Sequence, residues 1–309
     1  MRIATVPVTV CVATMCLIAA CANPDPLGNE TRSMKSIVVG SGDFPESEIV
    51  AEIYAQALGA NGFDVGRRPG IGSRETYIPA LKDHSIDLVP EYIGNLLQYF
   101  APNSKATMLD AVESELRHRL PGDLSLLTPS PASDTDTVTV TGATAGEWNL
   151  TTIADLAVHS ADVRFAAPSD FQSRPSGLPG LKQKYGLTIG PGNFVAIEDA
   201  GGAVTVRALV EGKVHAADIF STSPAISQNH LVVLDDPEHN FLAGNIVPLV
   251  NSQKKSDLLK GVLDAVSAKL TSAGVAALNA AVAGDGGIDP AQAARNWVRD
   301  NGFNHPIGQ

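Results

Sequence analysis

The stretch IDLVPEYIGN, residues 86–95, decides the fold. It begins as an apolar run and ends in a carboxylate, an aromatic ring and a glycine at Glu91, Tyr92 and Gly94. A short apolar run of this kind predicts a strand buried in a sheet that helices cover. Tyr92 then lies at the carboxyl end of the strand, where open α/β sheets bind ligands.

Strands and helices alternate around this stretch. SIVVGSG (36–42) predicts a strand, and PESEIVAEIYAQALGANG (45–62) predicts a helix with Asp43 as its N-cap and Pro45 in its first turn. The alternation continues through strands at 63–68 and 86–91 and helices at 74–83 and 107–120. This βαβ order predicts an α/β fold with a parallel sheet and helices on both faces.

A second α/β unit follows the turn-rich segment 128–134. Its strands are predicted near 137–141, 163–167, 193–197 and 216–220, and its helices near 151–158, 178–185 and 203–212. The strand 245–251 and helices near 256–272, 273–283 and 289–301 then return to the first unit. We therefore expect lobe I at 36–133 plus 236–309, lobe II at 134–235, and hinge crossings at about 131–136 and 235–241.

The first residues predict an export signal. Arg2 precedes an apolar run that ends at Cys21, so residues 1–20 are interpreted as a signal peptide. The motif IAAC (18–21) resembles a bacterial lipobox, in which Cys21 would carry the lipid, and residues 21–35 would form a flexible tether. The alternative is a single N-terminal transmembrane helix, because the run is long enough to span a bilayer.

Charge and cysteine usage exclude several functions. The chain has 22 Lys and Arg against 33 Asp and Glu, a formal charge of −11, so we expect no nucleic-acid partner. Two of the three cysteines, Cys11 and Cys16, would leave with the signal, so no disulfide framework or cysteine metal site is expected. The remaining length suggests two domains.

The turn after the first strand, GSGDFPES (40–47), invites a nucleotide-binding interpretation, but Pro45 stands where the third glycine of the dinucleotide fingerprint belongs. Two alternatives remain: Asp43 and Phe44 contact a ligand, or the turn is purely structural. No nucleophile elbow or zinc-protease spacing occurs in the sequence. The cluster DDPEH (235–239) is interpreted as an exposed acidic turn rather than a metal site. We therefore expect no enzyme, no metal and no cofactor.

Several segments together resemble one family: IVVGSGDFPESEIVAEIYAQAL, GSRETYIPALKDHSIDLVPEYIGN, RPSGLPGLKQKYGL, ADIFSTSPAI and LVVLDDPEHNFLAGNIVPLV. They are similar to the substrate-binding proteins of ABC importers for glycine betaine, choline, carnitine and proline betaine. The resemblance implies a type II periplasmic-binding-protein fold, in which two α/β lobes joined by two hinge crossings close over a solute. It also implies a monomer, lipid-anchored on the extracytoplasmic face of the cell membrane, that delivers solute to a permease and an ATPase.

The resemblance assigns an aromatic cage. Family members hold a quaternary ammonium among tyrosines, because this cation has no N–H to donate and is attracted to ring faces. Tyr92 matches the cage tyrosine of the motif P-E-Y-x-G. At the other tyrosine positions this sequence has Asp136, Phe220 and Gly244. The resemblance therefore predicts that Gly244 leaves one cage wall missing or rebuilt and the cleft enlarged.

Polar positions of the family are also replaced. Ser47 aligns with a glutamine and Asn95 with a threonine, and both can still form hydrogen bonds. The ligand-binding residues expected from the turn and the resemblance are Asp43, Phe44, Ser47, Tyr92, Asn95, Asp136, Phe220, Thr222 and Asn245. Glu91 is expected to pair with an arginine of its own lobe or with a helix N-terminus.

The sequence is compatible with three functions. The favoured one is a solute-binding component of an ABC importer for an osmoprotectant such as glycine betaine or choline. The second keeps the fold and the transporter but has a bulkier aromatic or polyhydroxylated solute, because of Asp136 and Gly244. The third is an extracytoplasmic enzyme on a two-lobe scaffold, which the missing catalytic motifs disfavour.

Overall fold

The computed structural model describes residues 34–284 and 286–308. The predicted signal peptide and Cys21 lie outside these residues. The strands of the described chain are β1 Ser36–Gly40, β2 Asp64–Arg68, β3 Leu88–Tyr92, β4 Leu124–Leu126, β5 Val138–Thr141, β6 Phe165–Ala167, β7 Phe194–Ala196, β8 Ala216–Asp218, β9 Leu231–Val233 and β10 Ile246–Asn251. They form two five-stranded sheets, one with the order β2-β1-β3-β10-β4 and one with the order β7-β6-β8-β5-β9.

Helices connect and cover both sheets. They are α1 Pro45–Ala60, α2 Arg74–Lys82, α3 Ile93–Phe100, α4 Leu109–Arg119, α5 Gly142–Trp148, α6 Ile153–Ala157, α7 Leu178–Tyr185, α8 Ala203–Val210, α9 Ala225–Gln228, α10 Asp257–Ser267, α11 Ser272–Val282 and α12 Pro290–Asp300. Short 3-10 helices follow at Ser169–Gln172 and Ser252–Lys254. The α/β fold class with helix-covered sheets is confirmed.

The prediction of a parallel sheet is wrong for part of each lobe. β1 pairs in parallel with β2 and β3, as the βαβ rule requires. β10 is antiparallel to both β3 and β4, and β5 is antiparallel to β8 and β9. The rule applies to strands that a helix links within one sheet. β5 and β10 instead enter their sheets directly from a crossing between the lobes, which sets the opposite direction.

Each sheet has a separate apolar core on each face. In lobe I, α1 packs with α10 to α12 on one face, where Ile53, Tyr54, Leu58 and Leu263 are fully buried. The other face packs against α2 to α4 around Leu81 and other buried leucines. Lobe II has the same two-sided arrangement. Burial on both faces explains the three successive apolar residues at the start of β3, whose five residues are all buried.

The start of α1 differs from the prediction. Asp43 is not the N-cap; Phe44 occupies that position in an extended conformation and makes no side-chain cap. Pro45 does stand in the first turn, as expected. The turn before α1 is closed by the Ser47 side chain instead of by Asp43: the Gly42 N–H donates to the Ser47 hydroxyl oxygen at 2.9 Å. This bond fixes Phe44 and Ser47 relative to the end of β1.

The two chain segments that cross between the lobes run side by side. Asp134 N–H donates to the Gly244 carbonyl at 3.0 Å, and Ser133 and Asn245 form an antiparallel bridge. Phe241 packs into the core of lobe II, whereas Leu242 belongs to a core of lobe I. We propose from these contacts that the return crossing lies at 241–245, later than the expected 235–241. The lobe boundaries expected from the sequence otherwise remain a proposal.

The sequence patterns missed several elements. α3 follows β3 without a loop, so Tyr92 is both the last strand residue and the N-cap of the helix. β4 and β9 have only three residues each, too few to show a period. Among the described residues no single helix is long and apolar enough to span a membrane; only α10 and α11 taken together pass that test, with a bend of 83°.

The crossing supplies a test of packing. A Cβ at Gly244 would stand 1.7 Å from the Asp134 carbonyl oxygen, so Gly244→Ala must push the crossings apart. We expect a loss of about 1–3 kcal/mol in the free energy of unfolding, measured by urea denaturation. Gly59→Ala is the control, because Gly59 lies in α1 with nothing within 4 Å of the added Cβ. This control should stabilise by about 0.5–1 kcal/mol. Equal midpoints for the two variants would contradict the close approach.

Candidate functional site

A cleft of about 540 Å³ lies at the carboxyl ends of strands from both lobes. Phe44 follows β1 and Tyr92 ends β3, while Asp170, Asp218 and Phe220 come from the ends of β6 and β8. The volume is within the range of small-molecule sites, about 300–1,000 Å³. The position agrees with the rule that α/β sheets bind ligands at the carboxyl ends of their strands.

Three aromatic rings form a group in the cleft. The ring of Phe44 lies 6.0 Å from that of Tyr92 and 5.7 Å from that of Phe220, with tilted planes in both pairs. Phe44 and Tyr92 come from lobe I, and Phe220 follows β8 of lobe II. Tyr77 and Tyr99 also line the cleft. A cation placed against this group would meet rings from both lobes.

The buried carboxylate of Glu46 holds this group in place. It accepts hydrogen bonds from the Tyr92 hydroxyl at 2.7 Å and the Thr222 hydroxyl at 2.6 Å. It also accepts from the side-chain amide of Asn279 in α11 at 2.6 Å. Because Thr222 follows β8, this carboxylate joins the two lobes directly behind the rings. The Tyr92 hydroxyl is therefore already used inside the protein.

Glu91 pairs with an arginine of its own lobe, as expected. Its carboxylate receives two guanidinium nitrogens of Arg74, at 2.9 to 3.2 Å, and the Tyr77 hydroxyl at 2.8 Å. The Glu91 side chain is 0% exposed and that of Arg74 is 17% exposed. Two-point pairing of this kind is the strongest form of ion pair in proteins. Glu91 therefore fixes Arg74 and Tyr77 at the cleft wall.

A second arginine pairs with the carboxylates of lobe II. One terminal nitrogen of Arg174 lies 3.4 Å from Asp136 Oδ1 and 3.5 Å from Asp218 Oδ2. The Arg174 Nε lies 3.5 Å from Asp170, and the guanidinium stands 5.0 Å from the centre of the Phe171 ring. Asn95 of lobe I donates to the other oxygen of Asp136 at 3.3 Å. This cluster forms a second polar link across the cleft.

Acidic groups outnumber basic ones along the cleft. Its lining contains the two arginines Arg74 and Arg174 and the six acids Asp43, Glu75, Asp134, Asp170, Glu198 and Asp218. Burial raises the pKa of Asp134 well above its usual range, and the nearby charge of Glu46 raises it further. Burial and the charge of Asp136 do the same to the pKa of Asp218. The cleft therefore favours positive charge.

Five of the predicted ligand residues line the cleft: Asp43, Phe44, Tyr92, Asn95 and Phe220. Asp136 lies behind the wall, bound to Arg174 and Asn95. The other three predicted residues are not among the side chains that line it, and their polar atoms bind elsewhere in the protein. The Ser47 hydroxyl accepts from Gly42, Thr222 donates to Glu46, and the Asn245 amide donates to the Ser130 carbonyl at 2.9 Å.

The expectation that Gly244 enlarges the cleft is wrong. Gly244 is buried at the crossing, where the close approach of the Asp134 carbonyl leaves no room for any side chain. Of the residues that the structure describes, those that line the cleft do not include Gly244. A tyrosine could not be accommodated with this backbone path. The residue type at this position therefore reflects the packing of two crossings and not the size of the solute.

Sequence reasoning missed most of the polar residues around the cleft. Arg74, Tyr77, Asp134 and Asp218 line it, and Glu46 supports it from behind. Asp218 could have been found, because it lies within the predicted strand 216–220, two residues before Phe220. Glu46 and Arg74 gave no local signal, since their partners lie far away in the sequence.

The segment 235–239 is tied into lobe II. The carboxylate of Asp236 accepts from the Tyr185 hydroxyl and from the backbone N–H groups of Asn240 and Phe241, both at 2.8 Å. Among the described residues, no group of three or more His, Cys, Asp or Glu side chains is arranged to hold a metal ion.

Comparison with known proteins identifies relatives along nearly the whole described chain. A family model described as the substrate-binding domain of ABC-type glycine betaine transport systems matches residues 35–300. The glycine betaine-binding protein YehZ of Escherichia coli K12 is 26% identical over 278 residues, which are 86% of this chain and 91% of that protein.

Two further comparisons concern a second solute and the fold. The ergothioneine transport permease/ergothioneine binding protein EgtU of Helicobacter pylori is 25% identical over 249 residues, which are 79% of this chain but only 44% of that protein. A crystal structure titled as a glycine betaine/carnitine/choline ABC transporter superposes with a TM-score of 0.68 at 20% identity, covering 87% of this chain and 99% of that one. This likeness confirms the periplasmic-binding-protein fold.

The Arg74–Glu91 pair yields a prediction about the cleft wall. Glu91→Gln would leave the guanidinium of Arg74 largely buried without its charge partner, so we expect a loss on the order of 3 kcal/mol in the free energy of unfolding. The matched control is Glu52→Gln, which breaks the pair with Arg67, whose side chain is 43% exposed. This control should lose less than about 1 kcal/mol. Urea denaturation of both variants measures the difference, and similar losses would refute the structural role of Glu91.

Proposed function

Since the chain belongs to the family of substrate-binding domains of ABC-type glycine betaine transport systems, we propose that it binds an osmoprotectant of the glycine betaine or choline type for import. The observation that carries this proposal is the group formed by Phe44, Tyr92 and Phe220 in an acid-rich cleft between two lobes. Members of this family bind solutes and are not enzymes, and the proposed role is likewise non-catalytic.

The chemistry of the cleft suits a quaternary ammonium. Such a cation has no N–H to donate, so ring faces and distant carboxylates are its natural partners. Each well-placed ring contributes about 0.5–2 kcal/mol when the cation is desolvated. The Tyr92 hydroxyl already donates to Glu46, so Tyr92 presents its ring and not a hydrogen bond. The acids of the cleft add a long-range attraction for the cation.

Binding by lobe closure is part of the proposal. The candidate ligand contacts come from both lobes, with Phe44 and Tyr92 on one side and Phe220 on the other. A solute that touches both sides favours the closed state to the extent that its affinity for that state is higher. The crossings at 131–136 and 241–245 would absorb the motion.

A bulkier aromatic or polyhydroxylated solute is the second candidate. The cleft volume of about 540 Å³ exceeds what a small betaine fills, and hydroxyl groups would find acceptors among its carboxylates. The relative EgtU, named for ergothioneine, also supports a solute other than glycine betaine. The loss of a tyrosine at Gly244 no longer argues for this candidate, because Gly244 does not line the cleft.

The partners and location follow from the same role. A substrate-binding component of an ABC transporter delivers its solute to a permease that an ATPase drives, on the extracytoplasmic side of the membrane. We further propose that Cys21 carries a lipid anchor, that the anchor is the chain's link to the membrane, and that the protein acts as a monomer. The lipobox-like motif at 18–21 supports the anchor.

Calorimetric titration with choline and glycine betaine tests the proposal. We expect one of these solutes to bind, and Tyr92→Ala to weaken that binding by about 2- to 30-fold, because one ring face is lost. Tyr92→Phe is the matched control: it keeps the ring and removes the bond to Glu46, so it should weaken binding less than the alanine variant. If betaines, choline, carnitine and ectoine-like solutes all fail to bind, the proposed solute class is wrong.

A further inference from the structure

Both arginines of the cleft are already engaged by carboxylates. Arg74 is held in a two-point pair by Glu91, and Arg174 is surrounded by Asp136, Asp170 and Asp218. A solute carboxylate would therefore find no guanidinium in the cleft lining without an acidic partner, and it would be repelled by the surplus acids. This arrangement distinguishes a solute with a net positive charge from a zwitterion.

The Asp136–Arg174–Asp218 group is incompletely compensated. Asp136 and Asp218 are 2% and 4% exposed, and a single guanidinium nitrogen faces both of them, at 3.4 and 3.5 Å. These distances exceed the roughly 2.7–2.9 Å of strong charge-assisted hydrogen bonds. The Asp218 Oδ1 has no hydrogen-bond partner among the described residues. Asp218 nevertheless lines the cleft, so a charged solute in the cleft lies beside it.

Two buried carboxylates so arranged do not both stay ionised. Burial raises the pKa of Asp218 well above its usual range; the negative charge of Asp136 raises it further, while the positive charge of Arg174 opposes the shift. Asp170 also raises it, and Arg74 is the next charge along the wall. The pair therefore holds one proton at pH values at which an exposed aspartate is ionised.

We propose that Asp136 and Asp218 form a proton-exchange site, in which the positive charge of a solute without a carboxylate replaces the proton held by the pair. The proposal rests on the proposed function and narrows its solute to a net cation. Asp218 and Phe220 line the same cleft, so the charge of a solute held by the rings acts on this pair. The proton leaves to solvent as the cation enters, and the net charge of the site is conserved.

The sign of the pH dependence follows from this exchange. Since the empty site holds the proton and the cation favours its release, affinity for a cation rises with pH while the empty pair is protonated. For one released proton the rise is at most about tenfold per pH unit. The affinity levels off once the empty pair has lost the proton.

The experiment compares choline with glycine betaine, which share a trimethylammonium group and differ in a terminal hydroxyl against a carboxylate. Each is titrated calorimetrically in buffers of different ionisation enthalpy, across a pH series from about 5 to 9, so that proton release is measured with affinity. For the wild-type chain we expect choline to bind more tightly than glycine betaine, to release up to one proton, and to gain affinity as pH rises.

Three variants separate the site from its surroundings. Asp218→Asn keeps the shape and removes the exchangeable proton, so proton release and the rise of affinity with pH should both disappear. Asp136→Asn removes the other member of the pair and should have the same effect, which covers the case that one variant misfolds. Asp170→Asn is the control, because Asp170 contacts the same arginine from an exposed position. The Asp170→Asn variant should bind choline less tightly, because one negative charge is lost, and choline binding should still release the proton.

Choline binding without proton release, or unchanged release in Asp218→Asn, would overturn the exchange and leave the proposed function standing. Tighter binding of glycine betaine than of choline would overturn the selection for net charge. If neither solute binds, the solute selection is overturned, and the proposed function fails as well if carnitine and ectoine-like solutes also do not bind. The infrared difference spectrum between wild type and Asp218→Asn at neutral pH then tests separately whether the pair holds a proton. A missing protonated-carboxyl band would overturn that part as well.

Discussion

The arrangement of the cleft depends on the hydrogen bonds that the buried carboxylate of Glu46 accepts. Its three donors are Tyr92 at the end of β3, Thr222 beyond β8 and Asn279 in α11, all within 2.7 Å. The carboxylate stands in the first turn of α1, where the helix dipole favours negative charge. One acceptor therefore orients a cleft ring and joins lobe I to lobe II, so that changes in lobe position and ring position are coupled.

Because this acceptor occupies the Tyr92 hydroxyl, recognition in the cleft passes to ring faces and to charge. The two arginines of the lining are compensated within the protein, Arg74 by Glu91 and Arg174 by the carboxylates of lobe II. What remains is an acidic surplus around the rings. The desolvation of the buried carboxylates is therefore only partly offset by protein groups.

The local sequence pattern predicted the strands and helices well and their polar contacts poorly. The predicted strand 86–91 and the predicted helix 45–62 lie within a few residues of β3 and α1, because burial selects apolar residues at neighbouring positions, which the local sequence shows. The antiparallel entry of β10 depends on where the chain crosses between lobes, which no local period records. Glu46 and Thr222 are 176 residues apart in sequence, and Glu46 and Asn279 are 233 apart. Their pairing appears only in the folded chain.

The predicted cage positions show why residue type alone is a weak guide to a site. At Asp136 a carboxylate stands where the resemblance predicts a ring, and a buried carboxylate is stable only with partners. Arg174 and Asn95 supply them, which turns a ring position into part of a polar link between the lobes. At Gly244 the side chain is absent because another backbone fills its space. Asp136 thus contributes to the electrostatics of the cleft, while Gly244 does not line the cleft.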